Sequence, residues 1–333
     1  MVRKKLITNH FPLATVFLKG AGFMKTAFIF PGQGAQAVGM GKDFYDNFDA
    51  AKKLFDEADD ALGYSIKKMC FDGSEDDLKL TANTQPAILV VSVIVNEILK
   101  SEGVTAQIAG GHSLGEYSAL VAAGALKFRD AVILVHKRGQ FMQEAVPVGE
   151  GAMAAIIGLD DETIIKICAA ATEAGAVQAV NFNCPGQTVI AGKTAGVEAA
   201  VAQMKAAGAK KAVVLPVSAP FHSTLMAPAA IKLAAELDKV ELKDASFPVA
   251  ANFTGALETS AAEIKKNLVA QADNPVKWIA CVESMKNFGA ETFVECGPGK
   301  TLCGFNRRID RKIRSLNVEN IDSLKKTLDA LKN

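Results

Sequence analysis

The chain has 333 residues, half of them hydrophobic, which allows a sizeable core and suggests about two domains. Basic and acidic residues nearly balance, 37 against 36, so no global charge argues for nucleic acid or a membrane surface as a partner. The six cysteines are scattered with no C-x-x-C pair. That indicates neither a metal site nor a disulfide framework, and a reducing cytoplasm is the simplest location.

In residues 1–23, Arg3, Lys4 and Lys5 precede a patchy apolar stretch that Asn9, His10 and Pro12 interrupt. With no clean cleavage site, a signal peptide is not expected. Met24 reads as the natural start, and residues 1–23 as a leader outside the fold. Residues 26–30 then form a first buried strand, followed by the loop PGQGAQA at 31–37. Gly32 to Ala37 match G-x-G-x-x-A, but a dinucleotide site needs a second strand ending in an acidic residue about 20 positions on. Residues 43–62 have helical pattern instead, so the loop is better read as presenting backbone amides to another site. NTQP at 83–86 opens an apolar helix with Pro86 near its first turn. The longest apolar run, 86–99, contains Asn96 and Glu97 and fits a core helix better than a membrane span.

The centre of the sequence is GHSLG at 111–115. A strand over 104–109 leads into it, and Leu114, Tyr117, Leu120 and Val121 recur at helical spacing after it, with Gly124 as a stop. A G-x-S-x-G pattern between strand and helix exposes the hydroxyl of Ser113 on a tight turn. It also sets the Leu114 amide at a helix N-terminus, where negative charge is stabilised. A further helix spans 129–145. Its apolar stripe runs through Ala131, Leu134, Phe141 and Ala145, and Arg138 falls on that stripe, whereas Lys137 lies on the polar side with Asp130 and Glu144. An arginine facing a core needs an anion. Either a ligand supplies it, or Arg138 makes an internal ion pair or reaches out to water.

Composition shifts at 147–151. From there the order is strand 152–157, helix 161–174, strands 177–183 and 187–191, helix 195–207 and strand 211–217. This βαββαβ order predicts a ferredoxin-like subdomain over 148–218, inserted into a large α/β domain made of 24–147 and 219–333. The second part continues with strand 247–252, helix 261–270, a helix through Trp278, strand 292–295, a Gly-Pro-Gly turn and a last pair of helices.

A serine needs a base. His10 lies in the leader, His112 adjoins Ser113, and His136 is mid-helix. His222 lies in a loop directly after a strand, where α/β folds assemble sites, and is the base by elimination. The alternative is a histidine satisfied by backbone groups. No nearby Asp or Glu stands out as an orienting partner, so a backbone carbonyl or an amide is left to orient the ring.

With these pieces together, the chain from Met24 onward resembles the malonyl-CoA:acyl-carrier-protein transacylases of fatty-acid synthesis. The matching stretches are FPGQGAQ (30–36), NTQPA (83–87), GHSLGEYSAL (111–120), KRGQFMQ around Arg138, NFNCPGQ (181–187), SAPFHS (218–223), QADNPVKW (271–278) and ECGPGKTL (295–302). The resemblance implies an α/β-hydrolase-like large domain with the ferredoxin-like insert. It implies Ser113 as nucleophile, His222 as base and Arg138 as clamp for a free carboxylate. It also implies the Gln33 and Leu114 amides as oxyanion hole, with Gln271 and Asn183 in support. Malonyl-CoA and acyl carrier protein are the implied partners, with no metal or bound cofactor, and a cytoplasmic monomer is expected. A serine thioesterase, a polyketide acyltransferase and a non-catalytic carrier-binding scaffold are the competing readings. Lastly, residues 301–314 set Arg307, Arg308, Arg311, Lys312 and Arg314 against Asp310, while Leu302, Phe305, Ile309 and Ile313 recur at helical spacing. That helix is either an ordinary solvated face or a patch for acidic partners.

Overall fold

Strand β1 (Lys25–Phe30) is buried over its last four residues, as a strand apolar on both faces should be in a covered parallel sheet. It opens a computed structural model that describes residues 25–217 and 219–332; the expectations for the leader and for Met24 and His10 lie outside these. Two helices, α1 (Lys42–Asn47) and α2 (Asp49–Leu62), replace the single one read over 43–62. Phe48 between them is extended, with φ −127° and ψ 124°. The break packs Phe48 against Phe44, ring centroids 6.3 Å apart, and gives Asp49 a fresh helix N-terminus to stabilise. With helices filling this region, no strand ends in an acidic residue here, which removes the dinucleotide reading. Two short serine-capped helices follow, α3 (Ile66–Asp72) and α4 (Glu75–Lys79).

Helix α5 (Thr81–Ser101) is the buried centre of the domain. It is long and apolar enough to cross a membrane by composition, but most of it is covered by protein. Pro86 lies one and a half turns inside it, not in its first turn. A proline there removes an N–H and leaves the carbonyl four residues earlier unsatisfied. That carbonyl, Ala82 O, is taken by His136 Nδ1 at 2.8 Å, from α7 (Phe128–Glu144). Between α5 and α7 lie β2 (Ile108–Gly111) and α6 (Leu114–Ala122). Strand β2 starts later than the 104–109 reading, because the Val104 amide still bonds back to Leu99 of α5.

The next segment alternates β3 (Gly151–Ile157), α8 (Asp161–Ala171), β4 (Val177–Cys184), β5 (Gln187–Lys193), α9 (Thr194–Ala206) and β6 (Lys211–Val214). All pairings are antiparallel in the order β4-β5-β3-β6, the ferredoxin-like arrangement, with α8 and α9 over a core of Ile156, Ile164, Ile190 and Met204.

The chain then returns through α10 (Ala227–Leu237), β7 (Val249–Ala250), β8 (Leu257–Glu258), α11 (Ala261–Gln271), α12 (Trp278–Asn287), β9 (Ala290–Cys296), α13 (Thr301–Ile309), β10 (Arg314–Val318) and α14 (Ile321–Lys332). The last pair of helices is therefore split by a strand. Asp310 is extended and ends α13, and its carboxylate takes Lys286, so Ile313 packs outside the helix. The large sheet runs β10-β9-β1-β2-β7-β8, parallel except for the final hairpin. Its register sets Phe30 beside Gly111, so the loop after β1 and the turn after β2 leave the sheet side by side. Val276 bridges to Asn181 and fixes the insert against the large domain.

The contact of α5 with α7 depends on Gly139. A Cβ there would sit 2.6 Å from Ala82 Cα and from Thr81 O, which are backbone and cannot swing away. Gly139→Ala is expected to destabilise the fold by about 1–3 kcal/mol, the usual cost of overpacking. Gly304→Ala on α13, where a Cβ meets nothing, serves as the control and is expected to be neutral or stabilising. Chemical-denaturation midpoints of the two variants check this.

Candidate active site

Ser113 joins β2 to α6 with φ 52° and ψ −104°, a conformation that costs a non-glycine residue about 1–3 kcal/mol. The flanking glycines follow from close approach. A Cβ on Gly111 would lie 1.9 Å from the Gly115 carbonyl carbon, and one on Gly115 would lie 2.0 Å from Phe30 O. The turn is held from three sides. The His112 amide bonds Phe30 O at 3.0 Å, the Ser113 amide donates to Asn252 Oδ1 at 2.6 Å, and Gln271 Nε2 donates to Ser113 O at 2.9 Å.

Ser113 Oγ lies 2.7 Å from His222 Nε2. The other ring nitrogen, Nδ1, is 2.8 Å from the Gln271 carbonyl. A carbonyl only accepts, so Nδ1 carries the proton and Nε2 is left bare as the acceptor. His222 is 3% exposed. Burial, and then the nearby Arg138 charge, push its pKa down to about 3, against the opposing pull of the Gln271 carbonyl. The ring is neutral at physiological pH, as a general base must be. The orienting group is a backbone carbonyl, so the site has no carboxylate triad.

Arg138 is 1% exposed and projects from α7 into the same place. Its Nη2 lies 3.1 Å from Ser113 Oγ and 2.8 Å from Gln271 Oε1, and Nη1 donates to Gln85 Oε1 at 2.8 Å. All its hydrogen-bond partners are neutral, and none of the ion pairs among the described residues includes it. Its Nε has no partner. The guanidinium also sits over the Tyr117 ring, 5.4 Å from the centroid. The readings of Arg138 as an internal ion pair or as a chain reaching water are thus replaced by a buried cation held by two amides beside a hydroxyl.

Leu114 is the first residue of α6, so its amide has no intrahelical acceptor and faces the serine turn. Gln33 lies three residues beyond β1 on the adjacent loop, its Nε2 donating to Thr81 Oγ1 at 3.3 Å. Asn183, at the end of β4, does not reach Ser113. Its Oδ1 meets His112 Nε2 at 2.8 Å and turns that ring toward Trp278 and Phe305. Gln271 does more than support. One residue touches Arg138, Ser113, Glu116 and, through its carbonyl, His222.

Sequence reasoning missed Asn252 and Glu116. Asn252 Oδ1 holds the Ser113 amide, and its Nδ2 holds Gly111 O at 2.7 Å. Its signal was a polar residue closing the strand read over 247–252, at the sheet end where sites form. Glu116 is fully buried in the first turn of α6, and its carboxyl is pushed up to about 8 by burial and then by Glu258.

By fold this is an α/β-hydrolase-like protein, with a serine, a histidine and a buried arginine brought together at the end of β2. The acyl transferase domain family matches residues 27–321. A malonyl CoA-acyl carrier protein transacylase of Bacillus subtilis is 48% identical over 309 residues, spanning 92% of this chain and 98% of that protein. An acyl-carrier-protein S-malonyltransferase structure from Burkholderia pseudomallei gives a TM-score of 0.90 at 48% identity and covers 92% of this chain and 100% of its own. A malonyl-transacylase solved in complex with a type II PKS acyl-carrier protein gives 0.90 at 44% identity, covering 92% and 99%. The chain belongs to the acyl transferase domain family and, within it, to the malonyl CoA-acyl carrier protein transacylases.

The depressed His222 pKa has a sign that can be measured. The protonated ring is disfavoured in the folded protein, so the free base persists far below the ordinary value of about 6.5. The acylation rate is expected to show no inflection between about pH 5 and 7, and to fall only below that. In the unfolded chain the ring takes a proton below about 6.5, so the stability linked to His222 is complete above that pH and is lost progressively as pH falls toward 3. A pH profile of single-turnover acylation tests the first point: an inflection near 6.5 would show that the base is an ordinary, solvated histidine.

Proposed function

We propose that this chain, as a cytoplasmic monomer, transfers the malonyl group of malonyl-CoA to the phosphopantetheine thiol of acyl carrier protein for fatty-acid synthesis. The observation that carries the substrate is Arg138, a buried cation 3.1 Å from Ser113 Oγ with no carboxylate of its own. Its planar fork matches a carboxylate bidentately, which places a malonyl headgroup with its thioester carbon near the serine.

Ser113 Oγ attacks that carbon while His222 Nε2 takes the hydroxyl proton. The tetrahedral oxyanion lies between the Gln33 and Leu114 amides, where each donor is worth about 3–4 kcal/mol in comparable enzymes. The intermediate collapses, the carbon–sulfur bond breaks, and His222 returns the proton to the departing coenzyme A thiolate. In the second half-reaction the carrier's thiol loses its proton to His222 and attacks the malonyl-serine ester; the bond from the acyl carbon to Ser113 Oγ breaks, and His222 returns the proton to Ser113 Oγ. No step calls on a metal or a bound cofactor. The hydrogen bond of His222 to a backbone carbonyl, and the cation beside the nucleophile, favour this reading over a thioesterase with a carboxylate triad. A polyketide carrier as acceptor is the second reading, favoured by the malonyl-transacylase solved with a PKS carrier.

Mixing the protein with malonyl-CoA and measuring intact mass tests the core of the proposal. A covalent malonyl adduct is expected on the parent and none on Ser113→Ala. An adduct that survives the substitution puts the nucleophile elsewhere.

Acyl carrier proteins bring negative charge, and helix α13 lies near the serine turn, with Phe305 6.5 Å from the His112 ring. Not all of its basic residues are available. Arg308 holds Gln187 of the insert at 2.6 Å. Arg307 and Arg311 are exposed, the latter beyond the helix end. Reversing both to Glu is expected to raise the KM for acyl carrier protein at low salt and to leave malonyl-adduct formation from malonyl-CoA little changed. The difference should shrink as salt shortens the screening length to about 8 Å. Steady-state kinetics at two ionic strengths decide it, and equal responses of both half-reactions place carrier docking elsewhere.

A further inference from the structure

Glu116 has no exposed surface and takes no part in the steps above. Its Oε2 accepts two hydrogen bonds, from the Asn252 amide at 2.8 Å and from Gln271 Nε2 at 2.9 Å, while Oε1 has no partner. The second bond matters because one amide of Gln271 faces two ways. Its Nε2 end donates to Glu116 and to Ser113 O, and its Oε1 end accepts from Arg138 Nη2 at 2.8 Å. The two ends of an amide have nearly the same shape and are told apart only by what they face. Turned by half a rotation, Gln271 would set an NH2 against the guanidinium, donor against donor, and Arg138 would lose the acceptor that holds Nη2 beside Ser113 Oγ.

We propose that Glu116 is a positioning residue for the malonyl subsite: by accepting from Gln271 Nε2 it fixes the amide that aims Arg138 at the substrate carboxylate. The proposal rests on Arg138 being the carboxylate clamp. The charged and titratable groups that face Glu116 are Arg138 from α7, Tyr117 from α6, Cys281 from α12 and Glu258 from β8. Burial and Glu258 raise the Glu116 carboxyl and Arg138 lowers it; the balance favours the protonated form at neutral pH. With the proton on Oε1, Oε2 remains a carbonyl acceptor. A neutral glutamine at 116 therefore reproduces the acceptor, whereas a methionine of similar length removes it.

The test compares acylation by malonyl-CoA and by acetyl-CoA, which has no carboxylate for Arg138. Glu116→Met removes the bonds from Gln271 Nε2 and from the Asn252 amide; loss of the Gln271 bond is expected to raise the malonyl-CoA KM about tenfold, with kcat and the acetyl reaction changed by less than about threefold. Glu116→Gln is expected to keep the malonyl preference of the parent. In a Gln271→Met background, Glu116→Met is expected to add no further loss. Equal losses on both substrates would show that Glu116 acts through Asn252 and the Ser113 turn, and would overturn the proposal. So would a Met variant that behaves like the parent, or losses that add in the double variant. Should the Met variant not fold, Gln271→Met must raise the malonyl-CoA KM more than the acetyl-CoA KM, over any loss on both substrates from its bond to Ser113 O, and Glu116→Gln must still match the parent; failure of either overturns it. Arg138→Ala separates the premises. If malonyl preference survives that change, the clamp reading falls. If it is lost there but intact in Glu116→Met, only the role of Glu116 falls.

Discussion

Everything in this site hangs on a serine held in a conformation that serine resists. Ser113 reaches φ 52° because the strand before it and the helix after it cannot separate. Phe30 O lies where a Cβ of Gly115 would be, and Gly115 fills the corresponding space against Gly111. Close packing of β1, β2 and α6 stores the strain, and the hydrogen bonds that Ser113 donates to Asn252 and accepts from Gln271 hold it. A relaxed turn would move the hydroxyl away from His222, so the cost of about 1–3 kcal/mol is what keeps Ser113 Oγ against the ring.

The second constraint is an imbalance of charge. A guanidinium taken out of water is expensive unless an anion meets it. Here the partners of Arg138 are the carbonyl oxygens of Gln85 and Gln271 and the hydroxyl of Ser113. These satisfy its geometry and leave its charge unanswered. The proposed malonyl substrate would bring the carboxylate that answers it. The same charge helps keep His222 unprotonated, since a second cation beside the first is disfavoured. Burial drives the neighbouring acid the other way, with Glu116 raised to about 8. Histidine and carboxyl are both pushed toward neutrality, which leaves Arg138 as the dominant charge beside Ser113.

The insert is tied to this centre by more than sequence continuity. Val276 bridges Asn181, Asn183 holds the ring of His112, and Arg308 reaches Gln187. The turn that presents Ser113 is thus packed against the insert as well as the main sheet.

Local patterns determined much of this. The G-x-S-x-G turn, the βαββαβ run and the misplaced arginine are each readable because their cause lies within a few residues: a turn that excludes Cβ atoms, a change of hydrophobic period, a charge on an apolar stripe. The elimination that left His222 needed only four histidines and a strand end. Other features depended on residues far apart in the chain. Asn252 and Ser113 are 139 positions apart, and Gln271 and Glu116 155. Neither Asn252 nor Glu116 has a local pattern to announce it, because a buried polar side chain is defined by the partner it finds. Pro86 sits inside α5 only because His136, 54 residues away from Ala82, takes the carbonyl that the proline frees. Strand β10 was hidden behind a helical spacing that Asp310 interrupts by bonding Lys286. The sequence set which residues carry chemistry; tertiary packing decided how they are aimed, because hydrogen-bond direction and burial exist only once distant segments meet.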